Sequence, residues 1–121
     1  MSSMAPEPIG PYSQGVASGG YVFLSGQVGR KHDATELEKG VAAQTEQAIL
    51  NLKAVLAEKN LTLDNVVKTT VFLADMNDFA EMNAVYAEFF DEHTAPARST
   101  VQVAGLPLNA EMEIEVMASL D

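Results

Sequence analysis

The stretch "EMEIEVMA" (residues 111–118) alternates without a break, with Met112, Ile114 and Val116 on one side and Glu111, Glu113 and Glu115 on the other. Successive side chains leave opposite faces of a β-strand, so this run predicts a strand with one core face and one acidic face. Upstream, "RSTVQVA" (98–104) is a second strand, with Val101 and Val103 on one face and Arg98, Thr100 and Gln102 on the other. The six residues "GLPLNA" between them contain the turn formers Pro107 and Asn109. The two polar sets are expected to lie together.

Working outward, "NVVKTTVFL" (65–73) is dense in β-branched residues and short for a helix, which predicts a strand buried on at least one face. Asp75 and Asn77 follow as N-cap candidates, and Phe79, Met82, Tyr86 and Phe89 then fall on one helical stripe, read as core. From about Gly40 to Lys59, Val41, Ala48, Leu52, Val55 and Leu56 recur at steps of three, four and seven, the pattern of a long amphipathic helix ending near Asn60. Before it, "YVFLSGQV" (21–28) follows the turn-prone "SGG" and an extended stretch around Gln14 to Ala17, a β-hairpin. The order is ββαβαββ, in a single domain spanning 1–121. Right-handed crossovers tend to place both helices on one face and leave the other open. An open face of mixed polarity predicts an oligomer interface with polar pockets.

Composition narrows the function. A chain of 12.9 kDa buries roughly two-thirds of its unfolded surface in one core, and 47% hydrophobic against 20% charged residues is the make-up of a folded globule. Seventeen acidic against seven basic side chains leave a net charge of -10, which repels nucleic-acid phosphates and anionic membranes. With no cysteine, and His32 and His93 as the imidazoles, thiolate metal sites, thiol nucleophiles and histidine triads have little to draw on. The opening "MSSMAPEPIGPYSQG" has no basic segment leading into an apolar core, and no run approaches a membrane span, so a soluble cytoplasmic protein is expected.

Arg98, one of two arginines in the chain, heads the strand at 98–104. From the residues alone it is either a strand-end cation pairing with an acidic residue across an interface or a ligand-binding group. Nor do the residues alone choose among Glu111, Glu113 and Glu115. The segments "PARSTVQV" (96–103) with "MEIE" (112–115), "IGPYSQG" (9–15), "LSGQ" (24–27) and "VVKTTVFLADMNDFAEMNAVYAEFF" (66–90) occur in the order that resembles the reactive intermediate deaminase A (RidA, or YjgF) family, over nearly the whole chain.

The resemblance implies a chorismate-mutase-like α+β fold, a homotrimer whose three sheets form a central barrel, and small-molecule sites in clefts between subunits. It implies hydrolysis of 2-iminobutanoate and 2-iminopropanoate to 2-keto acids and ammonia, with no cofactor and no metal. On that resemblance Arg98 binds the substrate carboxylate and Glu113 orients the attacking water. Tyr12 closes the pocket, its alternative role being to anchor the hairpin; Ser25 and Gly26 form the pocket wall. Asn83 and Thr100 are further pocket positions, Thr100 standing where many members have cysteine. The loop "GQVGRKHDATELEKG" (26–40) departs from the family, which puts substrate range in question. A non-catalytic sensor of 2-keto acids or amino acids is the alternative, and the ribonuclease activity of some animal members a further one that the charge argues against.

Overall fold

In the computed structural model, which describes residues 2–121, the alternating stretch forms the middle strand of a five-stranded sheet. The elements are β1 (Gly15–Ser18), β2 (Tyr21–Val28), α1 (Val41–Ala57), β3 (Val66–Leu73), α2 (Phe79–Phe89), β4 (Ala97–Gln102) and β5 (Met112–Ser119), and the sheet order is β1-β2-β5-β3-β4. The β3–β4 pair is parallel and the other neighbours are antiparallel. A two-residue turn at Gly19 and Gly20, both at positive φ, closes the β1–β2 hairpin, the conformation that matches the twist of the flanking strands.

Both helices cover one face of the sheet. Ala48, Ile49, Leu52 and Leu56 of α1 meet Val22, Val71, Leu73, Met112 and Ile114 in one buried core. Each large aliphatic side chain so buried contributes about 1.5–3 kcal/mol. α1 also buries polar groups that tie down neighbouring loops. Asn51 Nδ2 donates to the carbonyls of Val28 and Arg30 at 3.3 and 2.9 Å, and Gln44 Nε2 donates to that of Glu38 at 3.0 Å. The helix stops where Asn60 turns to a φ of 59°. Before α2, the Asp75 carboxylate accepts from the Asn77 backbone at 2.9 Å, the cap its position predicts.

The expectation that the two polar sets lie together is overturned. In the parallel pair Arg98 is opposite Thr69, Thr100 opposite Val71 and Gln102 opposite Leu73, and all three partners are buried beneath the helices. Arg98, Thr100 and Gln102 therefore lie on the helix side, while Glu113 and Glu115, opposite Phe72 and Thr70, lie on the open side. Alternation fixes which residues share a face, but register decides which face that is; on an edge strand a polar set can face the rim of the helix layer and still reach water. Glu111 lies outside the strand. Its backbone N–H donates to Gln44 Oε1 at 2.9 Å and its carboxylate accepts from Gln44 Nε2 at 3.3 Å, tying β5 to α1. The open face, with Phe23 at 49% and Val101 at 40% exposure, is the mixed uncovered surface the topology predicts.

Candidate functional site

The fold sorts the candidate residues into two groups. The first surrounds Arg98. Its side chain reaches back from the edge strand to α2, where Nη1 donates to Asn83 Oδ1 at 2.7 Å. The guanidinium carbon stands 4.6 Å from the centroid of the Tyr86 ring and 5.5 Å from that of Phe79. Aromatic faces carry negative potential, so each contact attracts the cation, by about 0.5 to 2 kcal/mol according to desolvation. Tyr86 is 6% exposed, stacks on Phe90 with centroids 4.5 Å apart, and places its hydroxyl 2.8 Å from that of buried Thr69. Burial pushes the Tyr86 phenol above its ordinary pKa; the Thr69 hydrogen bond and the Arg98 charge pull it partly back. Thr100, half-buried, follows Arg98 on the same face of β4.

The second group lines a cleft of about 310 Å³, where Tyr12, Gly26, Arg30 and Glu113 meet Ile9 and Leu108. Gly26 sits at the irregularity between Leu24 and Gln27 in the β2–β5 ladder. A Cβ there would stand 2.8 Å from Glu113 Oε1, so glycine is what lets the carboxylate lie against this backbone. Burial raises the Glu113 pKa above the usual carboxylate value, and the neighbouring Glu115 charge raises it further. The Ser25 hydroxyl donates to the Ser13 carbonyl at 2.6 Å and its N–H to the Gln14 carbonyl at 2.9 Å, which holds the loop carrying Tyr12. Tyr12 itself is half exposed.

Gln14 borders the cleft, a position that the sequence reading did not single out. Buried at 3% exposure, it accepts from the Ser2 N–H at 2.6 Å and donates to the carbonyls of Ser2, Ala5 and Pro6 at 3.1, 3.4 and 2.9 Å. It thereby holds the segment that continues into Glu7, Pro8 and Ile9 at the cleft wall. Phe79 and Tyr86 were read only as helix stripe, yet both flank Arg98. A tyrosine in an apolar stripe carries one usable signal, because its buried hydroxyl requires a partner.

Among the described residues the single ion pair is Lys31–Glu38 at 3.7 Å, so neither Arg98 nor Glu113 has an ion-pair partner among them. A planar cation packed against aromatic rings, with donors beyond the one given to Asn83, suits a carboxylate. A carboxylate in a cleft, with its pKa raised by burial and by a neighbouring charge, suits proton handling. These features lie on opposite sides of one sheet, β4 at its edge and β5 at its middle.

A fold of this order with these two groups of residues defines a class, and the family model described as Endoribonuclease L-PSP matches residues 2–120; the chain belongs to that family, the one also known as YjgF or RidA. It is 48% identical over 121 residues to a RutC family protein of Synechocystis, covering 98% of this chain and 93% of the relative. It is 47% identical over 116 residues to the 2-iminobutanoate/2-iminopropanoate deaminase of Escherichia coli K12, covering 94% of this chain and 91% of the relative. Among solved structures, E. coli TdcF with bound serine superposes with a TM-score of 0.92 at 44% identity, covering 98% of this chain and 95% of TdcF.

Proposed function

We propose that this protein hydrolyses 2-imino acids, 2-iminobutanoate and 2-iminopropanoate among them, to 2-keto acids and ammonia, at a site completed between copies of the chain in a homotrimer. The observation that carries the reading is the guanidinium of Arg98, held over the Tyr86 and Phe79 rings and without a carboxylate partner among the described residues. The deaminase name of the E. coli relative at 47% identity supports the reaction class.

In this reading the guanidinium edge binds the substrate carboxylate with two hydrogen bonds. Glu113, from a neighbouring copy whose open face meets this edge, orients a water on the C=N carbon. The oxygen adds to that carbon, a proton passes from oxygen to nitrogen, and the C–N bond breaks to release ammonia and the 2-keto acid. A protonated imine is already electrophilic, so positioning supplies most of what the reaction needs. Tyr12 closes the pocket and Gly26 leaves room for the carboxylate of Glu113, while Asn83 and Thr100 border the clamp. The chemistry draws on no cofactor.

Coupling the protein to a threonine dehydratase tests the reading: 2-ketobutyrate and ammonia should appear faster with the protein than without it, and an unchanged rate refutes it. Light scattering should give a trimer; a monomer of about 12.9 kDa at micromolar concentration removes the composite site. The serine bound in TdcF favours a second reading, a sensor of amino acids or 2-keto acids. A sensor is stabilised against heat by ligand and gives no turnover. The family description includes an endoribonuclease name, but a net charge of -10 disfavours RNA, and salt-sensitive RNA binding would reverse that judgement.

A further inference from the structure

Thr69 and Arg98 are directly opposite each other in the parallel β3–β4 pair, on the same face of the sheet. Tyr86, descending from α2, spans both. Its hydroxyl meets Thr69 Oγ1 at 2.8 Å and its ring lies 4.6 Å from the Arg98 guanidinium carbon. The three residues close a loop of contacts in which the strand register sets the spacing and the hydrogen bond sets the tilt of the ring.

We propose that Thr69 and Tyr86 are positioning residues for the Arg98 carboxylate clamp. The proposal rests on the reading of Arg98 given above and deepens it. A guanidinium has five N–H donors in one plane and can rotate about several bonds of a flexible stem. With the Tyr86 ring against it, Phe79 at 5.5 Å and Asn83 accepting from Nη1, the group keeps an edge for hydrogen bonding and little freedom to turn. The guanidinium carbon lies over the Tyr86 ring, so a shift of the ring shifts that edge. Phe90 packs against the ring, and the Thr69 hydroxyl fixes its far end. Thr69 is wholly buried, so this hydroxyl contacts no solvent and acts on the site through Tyr86 alone. Valine at 69 would have the same shape and would serve the core equally well but for that bond.

Three variants test the proposal: Thr69→Val, Tyr86→Phe and the double variant. Thr69→Val leaves the buried phenol without its partner and lowers the melting temperature; the double variant removes both polar groups and regains much of it, since deleting both ends of a buried hydrogen bond costs less than deleting one. If the pair positions Arg98, all three raise KM several-fold and weaken 2-ketobutyrate binding, measured by calorimetry, by a similar factor. kcat stays near wild type, because the carboxylate contact is made alike in ground and transition states. If the bond serves stability alone, KM and 2-ketobutyrate binding stay at wild-type values in Tyr86→Phe and in the double variant, and the proposal is overturned. Arg98→Lys measured alongside keeps the two levels apart. Full activity and full 2-ketobutyrate binding there refute the clamp itself; their loss there with unaltered Tyr86→Phe refutes only the positioning role.

Discussion

The surroundings of Arg98 and of Glu113 differ in how much of each the chain supplies by itself. Arg98 is held by an amide at 2.7 Å and by two aromatic rings, all three supplied by α2 of the same chain. Glu113 lies against the backbone of Gly26, in a cleft bounded by the segment that Gln14 clasps, with its pKa raised by burial and by Glu115. One region is a cation held by side-chain contacts at a sheet edge; the other is a carboxylate of raised pKa on the uncovered face. The two groups are separated by the thickness of the sheet, and in the proposed reading a second copy of the chain joins them.

The largest effect should come from breaking the Arg98 side. Arg98→Lys keeps the charge but replaces a planar fork by one flexible ammonium. The loss should be on the order of 2–4 kcal/mol, at least about a hundredfold in kcat/KM, with the fold and assembly retained. Near-normal turnover with a weakened trimer, seen by light scattering and thermal melt, would instead make Arg98 an interface cation.

On the carboxylate side, Glu113→Gln should lower kcat by on the order of a hundredfold and leave 2-ketobutyrate binding nearly intact. Glu115→Gln should act only mildly, through the lost repulsion, and Glu111→Gln should alter stability without altering turnover because Glu111 is engaged with Gln44. Equal losses from all three would erase the distinction between them.

The raised pKa of Glu113 also has a sign for stability. A carboxyl whose folded pKa exceeds its unfolded value favours the fold below the unfolded pKa, and that contribution is lost as pH rises through the folded value. Glu113→Gln should therefore gain stability over wild type at neutral pH and no such gain in acid, read from denaturant titrations at both. Turnover in wild type should fall as pH drops through the raised pKa, because the water then loses its acceptor.

A smaller effect is expected from Gly26→Ala, whose added methyl must displace the Glu113 carboxylate. About a tenfold drop in kcat with unaltered product binding would confirm that the two sides respond separately. Smallest on activity is Gln14→Ala, which frees the segment from Ser2 to Pro6. It should cost about 1–3 kcal/mol of stability by denaturant titration and speed proteolysis near the N-terminal end.

Local patterns made most of the fold legible. The strand read at 111–118 is Met112–Ser119, and the helix read from about Gly40 to Lys59 is Val41–Ala57, because period-two and 3.6-residue patterns are properties of neighbouring residues. The face of Arg98 was not legible: it depends on the register of β4 against a strand that begins more than thirty residues upstream. The same limit applies to Glu111, whose partner Gln44 is 67 residues away in the chain. The resemblance singled out Arg98 and Glu113 where alternation could not, yet the clasp at Gln14 and the slot around Arg98 emerge only from tertiary contacts.

The claim that one site draws Arg98 from one copy and Glu113 from another is tested most directly by complementation. Co-expressed Arg98→Lys and Glu113→Gln chains, each nearly inactive alone, would form mixed trimers in which some sites combine an intact Arg98 with an intact Glu113. Imine hydrolysis should then recover to about a quarter of the wild-type rate, the share of such sites in a randomly mixed cyclic trimer. Mixed trimers, verified by differential tags, that remain as inactive as either variant alone would contradict the composite site.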